Sequence, residues 1–574
     1  MRIPGLGRLS RSSRQGEKPG RTIVINGRRK ASGVRAQSRV LMAMGVLFAI
    51  YAALGVRLVH LGMVDREQVN LPQSRPTASR PDLIDRNGEV LATDIKTASL
   101  FAEPRHIVDI DEAIEKLRRV LPDLDYEQTY RRLDSDAGFV WLRRQLSPRQ
   151  QAEILALGIP GLGFRTEKRR FYPGGPVASH ILGLVNVDNK GIAGIEKFVD
   201  DQGLADLQAL GLAGPDTLEP FSLSIDMRVQ HVLRDELMRA MERYDAIAGG
   251  GIILHARTGE VLAMVSLPDY DPNNPYNALE KDRLNRMTAG VFEMGSTFKL
   301  FTTAMALDSG KVSINDSFDA TRPLRIGRHT IRDFHGKGRV LTVPEVFIYS
   351  SNIGTAKMAD VVGIEGHREF LKRVGLLDRI STELPEIATP TEPAIWKKIN
   401  SVTISFGHGV ATTPLQTAAA SAAMLNGGKF IPPTFLPRTE EEANRLAKQV
   451  ISEKTSREMR YLFRYNTEKG SGRRAEVQGY HVGTKTGTAE KVVNGRYSND
   501  TRFNTFIAGF PATDPDYVVF VVLDEPKPEQ PGMSATSGLT NAPLAGNIIR
   551  RSAPLLGVEP DFGHEGEALL VSYQ

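Results

Sequence analysis

At 574 residues the chain is too long for one compact domain, and its 41% hydrophobic and 24% charged residues suit a globular protein with a sizeable core. It contains no cysteine, which excludes disulfides, thiolate nucleophiles and Cys-ligated zinc, and its eleven histidines show no metal-binding spacing. The net charge of +6 does not mark a nucleic-acid surface: residues 1–39 hold eleven Lys or Arg against one acid, Glu17, leaving 62 bases and 66 acids elsewhere.

Residues 1–39, rich in Arg, Ser and Gly without an apolar period, read as a disordered basic arm. Val40–Val56 follows as seventeen residues without a charge, extended past Arg57 by Leu58, Val59 and Leu61. A bilayer needs a helix of about 20 residues, so 40–62 is expected to be a transmembrane helix with Arg57 snorkelling to the interface. The basic arm then places the N-terminus in the cytoplasm and the rest of the chain outside. A buried core helix is the alternative; a cleaved signal peptide fits less well, because the basic region is long and no A-x-A site follows.

Residues 63–215 are mixed. Ser79–Ala92 reads as strand, Asn87-Gly88 turn, strand, and helical patterns fall near 110–121 and 147–157. Arg169–Pro173 reads as a loop with Gly174-Gly175. From about 216 the pattern changes to a strand at 221–225, a helix over 226–243 and two apolar strands at 250–256 and 260–266. Three more strands are expected at 479–488, 504–510 and 517–524, with turn signals at Asn494-Gly495 and Asp514-Pro515. The stretch between is mostly helical, at 297–309, 343–360, 414–426 and 441–463. Two strands early, three late and helices between predict an α+β domain around one five-stranded antiparallel sheet with helices on both faces.

Three short motifs occur in order inside that domain: Ser296-Thr-Phe-Lys299, Ser350-Ser-Asn352 and Lys485-Thr-Gly487. Ser296 stands at a helix start, where free N–H groups and the helix dipole favour developing negative charge. Lys299, three residues on, lies on the same face. A serine needs a neighbouring base to become a nucleophile, and a desolvated lysine is one. Each motif alone has a bland reading as an N-cap, a solvated lysine or a turn. Their joint occurrence in this order points to a serine acyltransferase.

With its surroundings, this set resembles the class B penicillin-binding proteins over nearly the whole chain. Glu293–Lys299 is close to their nucleophile segment, with Met294 where Pro is usual, and Lys485-Thr-Gly-Thr-Ala-Glu490 matches their K-T-G-T strand. Ser405-Phe-Gly-His-Gly409 with Thr413-Pro-Leu-Gln416 is similar to a G-Y-G…T-P-L-Q segment; His408 departs from it and is not read as catalytic. Gly538–Pro543 resembles a glycine-rich turn before a terminal helix. Ile84–Ala92, Arg170–Pro173 and Gly191–Glu196 resemble the family's pedestal, and with Asp524-Glu-Pro-Lys527 look most like the division-specific (FtsI) branch.

The resemblance implies a basic arm (1–39), a transmembrane helix (40–62), an elongated dimerisation-like pedestal (63–215), a penicillin-binding, serine β-lactamase-like transpeptidase domain (216–560) and a tail (561–574). It implies that Ser296 attacks the penultimate D-alanine carbonyl of a wall stem peptide, with Lys299 as base and Ser350 relaying a proton. Asn352 would orient Lys299 and the substrate amide. Lys485 would supply positive potential as a catalytic residue, Thr486 and Thr488 would hold the terminal carboxylate in a substrate-binding stretch that includes Gly487, and the N–H groups of Ser296 and Thr488 would form the oxyanion hole. The expected ligands are stem peptides of nascent glycan made from lipid II, and β-lactams. The expected partners are a multispanning glycan polymerase and bitopic division proteins at the bacterial inner membrane, with the catalytic domain periplasmic. No cofactor, metal or nucleic acid is implied. An elongation-specific transpeptidase, a D,D-carboxypeptidase and a non-enzymatic β-lactam-binding scaffold are the alternatives. A β-lactamase would not need a pedestal and anchor, and a class A bifunctional enzyme would carry a glycan polymerase domain.

Overall fold

A computed structural model describes residues 42, 44–55, 80–203, 219–493 and 496–562. The chain divides into two compact units, 1–73 and 74–574. In the first, residues 44–55 are helical with exposed side chains. Among the described residues no helix is long and apolar enough to cross a membrane. The basic arm and the rest of the expected span over 40–62 lie outside the described residues, as do the 215/216 boundary, the Asn494-Gly495 turn and the tail from 563.

The second unit begins with a mixed sheet. β1 (Leu83–Ile84) pairs with the long β2 (Val90–Ala102), and the Asp85 carboxylate accepts from the backbone N–H of Asn87 and Glu89 to shape the expected turn. α1 (Ile110–Val120) and α2 (Tyr126–Leu133) start at capping aspartates, Asp109 and Asp125. β3 (Val140–Leu146) precedes α3 (Pro148–Ala156), which Ser147 and Gln150 open with a capping box. β4 (Leu162–Phe171) then pairs with β2 along ten residues. The loop expected at Arg169–Pro173 is therefore partly strand: Arg170 lies opposite Asp94 in register. Its apolar pattern is hidden because charged residues are buried on both faces of the strand, Glu167 on one and Arg170 on the other.

Arg170 belongs to a network with Arg80, Asp94, Glu196 and Asp200. Arg170 donates to Glu196 (2.7 Å), Asp94 (3.2 Å) and the Pro81 carbonyl (2.8 Å), and Arg80 donates to Glu196 (2.9 Å), the Asn189 carbonyl (3.1 Å) and Asp200. Glu196 sits on the helix Gly194–Asp201, whose first N–H donates to Glu386 in the larger domain.

β5 (Phe221–Ser222) joins β1 in parallel and leads into α4 (Met227–Arg243), capped by Asp226. β6 (Ala248–His255) and β7 (Val261–Leu267) are the early strands of the expected antiparallel sheet. The intervening elements that matter here are α5 (Lys299–Asp308), a hairpin β8–β9 (Leu324–Ile326 with His329–Ile331), α6 (Val343–Ile348), α7 (Asn352–Val362), α8 (Lys398–Ser405), α9 (Pro414–Leu425) and α10 (Glu453–Lys469). β10 (Gly483–Val493), β11 (Arg496–Phe510) and β12 (Tyr517–Asp524) complete the sheet in the order β10-β11-β12-β6-β7, and α11 (Ser537–Ser552) follows.

Both faces of this sheet are covered, which is why its central strands are apolar without a polar alternate. Ile252, Val518, Phe520 and Val522 pack with α5 and α9, whereas Ile253, Val519, Val521 and Leu523 pack with α4 and α11. β10 is an edge strand, and that free edge faces the start of α5.

Several boundaries differ from expectation. The helix expected over 343–360 is broken at Ser350, because Thr342 caps α6 and Ser351 separately caps α7. The helix over 441–463 is two helices, Glu440–Leu446 and α10; Val450 and Ile451 are buried between them and Ser452 caps the second. The strand expected from 479 begins at Gly483. Gly538–Pro543 is not a turn but the first part of α11. Pro543 cannot donate to the Leu539 carbonyl, and the Tyr244 hydroxyl donates to it instead (3.3 Å).

Removing one partner from the buried network leaves an uncompensated charge. Arg170→Met is expected to lower unfolding free energy by about 3–5 kcal/mol, read from the urea midpoint of the purified protein, and a change below about 1 kcal/mol would show the network to be energetically idle.

Candidate active site

Ser296 lies in a single 3-10 turn, Gly295–Phe298, that runs straight into α5 at Lys299. This turn is gripped from three sides. Thr297 Oγ1 (2.6 Å) and Thr505 Oγ1 (3.1 Å) both donate to the Met294 carbonyl. Gly295, at φ +52°, approaches the edge strand so closely that a Cβ there would lie 2.8 Å from Thr488 O. A Cβ on Gly407, at φ +92°, would lie 1.9 Å from Gly295 O. Gly487 completes the fit, since a Cβ there would sit 2.2 Å from Thr505 Oγ1 and 2.8 Å from Met294 O. Ser296 itself is half-buried, at the mouth of this packing.

Lys299 is only 1% exposed and Lys485 is fully buried. Lys299 Nζ donates to Ser350 O (2.5 Å) and Ser350 Oγ (3.0 Å), and Lys485 Nζ reaches the same Ser350 Oγ at 3.4 Å and Thr486 O at 3.0 Å. The Lys485 ammonium also stands 5.5 Å over the Phe347 ring. Burial holds the Lys299 amine well below its ordinary 10.5, repulsion from Lys485 lowers it further, and the Asp333 carboxylate works against both. Burial pushes Lys485 down to about 7. Both effects act on Lys299 in the same direction, toward the neutral amine.

Ser350 receives both amines because of its backbone. At φ +54° it occupies the left-handed region, which costs a non-glycine residue on the order of 1 kcal/mol and is held here by the two capped helices around it. Ser351 Oγ donates to Asp333 Oδ2 (2.8 Å) and Ile353 N to Asp333 Oδ1 (2.9 Å), fixing the start of α7. Asn352 Nδ2 donates to the Arg332 carbonyl (2.8 Å), while Lys299 Nζ donates to Ser350. Thr486 Oγ1 pairs with Ser471 Oγ (2.7 Å), and Thr488 Oγ1 accepts from Ser537 N (3.2 Å).

The structure thus brings Ser296, Lys299, Ser350, Lys485, Gly487 and Thr488 together around the start of α5, with Asn352 one turn of chain away. Asp333, Phe347, Ser471, Thr505 and Ser537 were not singled out in the sequence, and none stands in a motif; only the three-dimensional packing reveals them. His408 belongs to the loop that grips the nucleophile turn. Its Nδ1 lies 3.0 Å from Glu293 Oε2, its ring stands edge-on to Tyr497 (5.1 Å), and Gly409 N donates to Glu293 Oε1 (2.7 Å).

A helix-borne serine, a buried amine on the same helix and a facing edge strand define a serine acyltransferase. The penicillin binding protein transpeptidase domain model matches residues 249–550, and the penicillin-binding protein dimerisation domain model matches residues 75–208. The chain belongs to the penicillin-binding protein transpeptidase family. It is 40% identical over 494 residues to the "Probable peptidoglycan D,D-transpeptidase FtsI" of Caulobacter vibrioides, covering 84% of this chain and 82% of that one. It is 34% identical to the "Probable peptidoglycan D,D-transpeptidase PenA" of Neisseria gonorrhoeae (91% and 93% covered) and 29% identical to the "Peptidoglycan D,D-transpeptidase FtsI" of Escherichia coli (91% of each).

Because a displacement of about 1 Å at a reacting centre costs on the order of 100-fold, Gly407→Ala is expected to slow β-lactam acylation by about that factor, timed by gel fluorescence. An unchanged rate would mean that the 407–409 loop does not set the position of Ser296.

Proposed function

We propose that this chain is a peptidoglycan D,D-transpeptidase that cross-links wall stem peptides through an acyl-enzyme on Ser296. The observation that carries this reading is the convergence of two buried amines on Ser350 beside the nucleophile's helix. Neutral Lys299 takes the proton from Ser296 Oγ, which attacks the carbonyl of the penultimate D-alanine. The N–H groups of Ser296 and Thr488 stabilise the oxyanion at a helix start and strand edge. Ser350 relays a proton to the departing D-alanine amine, and Asn352 positions the substrate amide. Lys485, with Thr486, Gly487 and Thr488, receives the terminal carboxylate. An amine of a second stem peptide then attacks the acyl-enzyme and restores Ser296. A β-lactam follows the first half of this course and stays on the serine.

The reading extends to place and partners. Residues 40–62 anchor the chain in the inner membrane, with arm 1–39 in the cytoplasm and the pedestal (63–215) and transpeptidase domain (216–560) in the periplasm; the uncharged run and the basic arm support this. The 40% identity to a relative named FtsI supports a role in septal wall synthesis. A multispanning glycan polymerase and small bitopic division proteins are the partners of such an enzyme.

Fluorescent β-lactam labelling of the purified protein beside Ser296→Ala tests the core of the reading. Label that lasts many minutes and disappears in the variant is the expected result. Rapid loss of label with hydrolysis of the antibiotic would indicate a β-lactamase, and no labelling of the folded protein would leave a scaffold.

A further inference from the structure

Between the two serine-bearing helices the chain builds a feature that the acyl-transfer chemistry does not use. Residues 321–339 carry six Arg or Lys against one acid, Asp333. The hairpin β8–β9 inside this segment is amphipathic across its two faces. Leu324, Ile326 and Ile331 pack onto Ala356, Val402 and Phe406, which fixes the hairpin on α7 and α8. Arg325 lies on the opposite face of β8 and Arg328 in the turn between the two strands; both are exposed, as is Arg332 just beyond.

Several exposed arginines elsewhere in the domain stand beside carboxylates, for example Arg368 with Glu392 and Arg373 with Asp308. Among the described residues none of Arg325, Arg328 and Arg332 forms an ion pair. The single acid of the segment is spent on Ser351 and the Ile353 N–H, and Arg339 is paired with Glu345. Charges of one sign within about a Debye length (~10 Å at 0.1 M salt) repel and focus a field that attracts anions. Exposed aromatics stand in the same region: Phe334 is 68% exposed, and Lys337 lies 4.7 Å over the Tyr349 ring.

The position of this surface decides what it can serve. The Asn352 amide donates to Arg332 O and the Ser351 hydroxyl to Asp333, so the segment is bonded to the same turn that presents Ser350. The terminal carboxylate of the donor peptide is already assigned to the Lys485 strand. A second wall strand, which must bring its amine to the acyl-enzyme, also carries stem-peptide carboxylates.

We propose that the outer face of the 321–339 hairpin segment binds the carboxylates of a second peptidoglycan strand and so delivers the acceptor to Ser296. This rests on the transpeptidase reading above. Arg325, Arg328 and Arg332 supply the charge, and Phe334 and Tyr349 supply apolar contact beside it.

The test uses the full chain in detergent and purified peptidoglycan sacculi in a cosedimentation assay, comparing wild type with Arg325→Glu/Arg328→Glu. The variant is expected to bind sacculi about tenfold more weakly, with β-lactam acylation within about twofold of wild type. Wild-type binding should weaken with salt, and amidating the sacculus carboxyls with carbodiimide and ammonium chloride should lower it to the variant's level. If the reversed chain does not fold, Arg325→Gln/Arg328→Gln replaces it with the same readouts. Sacculus binding unchanged by the substitutions overturns the proposal. So does a loss confined to phosphatidylglycerol vesicles, which would make the hairpin a lipid-facing surface. Failure of the transpeptidase reading shows separately, as wild-type protein that no β-lactam acylates.

Discussion

Two ammonium groups buried around one serine hydroxyl are an expensive arrangement, and much of the domain exists to hold it. Lys299 and Lys485 both reach Ser350 Oγ, and among the described residues neither forms an ion pair with a carboxylate. Burying an unpaired cation costs several kcal/mol or more, and the ordinary relief is loss of the proton. Lys299 is pressed in that direction by its own burial and by its neighbour's charge, with Asp333 the one opposing influence. The result is an amine that loses its proton more readily than an exposed lysine, one helical turn from the serine it would serve.

That arrangement requires three separately built elements to meet without slack. The 3-10 turn carrying Ser296 lies against the edge strand at Gly295 and Gly487, positions where the smallest side chain would collide with backbone or with Thr505. The carrier of Ser350 is a strained residue between two independently capped helices. Lys485 comes from an edge strand whose outer side is free to face α5 because no further strand follows it. The sheet beneath is packed on both faces, which fixes the relative height of strand and helix. Strain at Ser350 is thus sustained by ordinary core packing some distance away.

The sheet was legible in the sequence because covered strands read as apolar runs, as in Tyr517–Asp524, and helix starts were legible from caps such as Asp226 and Ser147. Ser296, Lys299, Ser350 and Lys485 were legible as motifs, and the structure sets both amines on Ser350 Oγ, with Lys299 opening the helix that follows the Ser296 turn. The break at Ser350 was not, because the helical pattern resumes in phase with a good cap on each side. Arg169–Phe171 escaped because the buried residue there is the charged Arg170, satisfied by Glu196, Asp94 and the Pro81 carbonyl at separations of 26, 76 and 89 residues. Pro543 pointed to a turn, and only the Tyr244 hydroxyl, 295 residues distant from its acceptor, explains how a helix tolerates it. For Arg170 and Pro543 the deciding contact is long-range and has no local signature.

The most direct test of the central claim is titration of Lys299 itself, followed by NMR on protein with isotope-labelled lysine side chains and assigned with Lys299→Arg. A neutral amine forms above its pKa, so a lowered value makes the base available as pH rises through that lower midpoint. Lys299 is expected to titrate well below 10.5, and Lys485→Met, which removes the neighbouring charge, should move that midpoint upward. A Lys299 midpoint at or above 10.5, or one that Lys485→Met leaves unchanged, would contradict the coupled-amine mechanism.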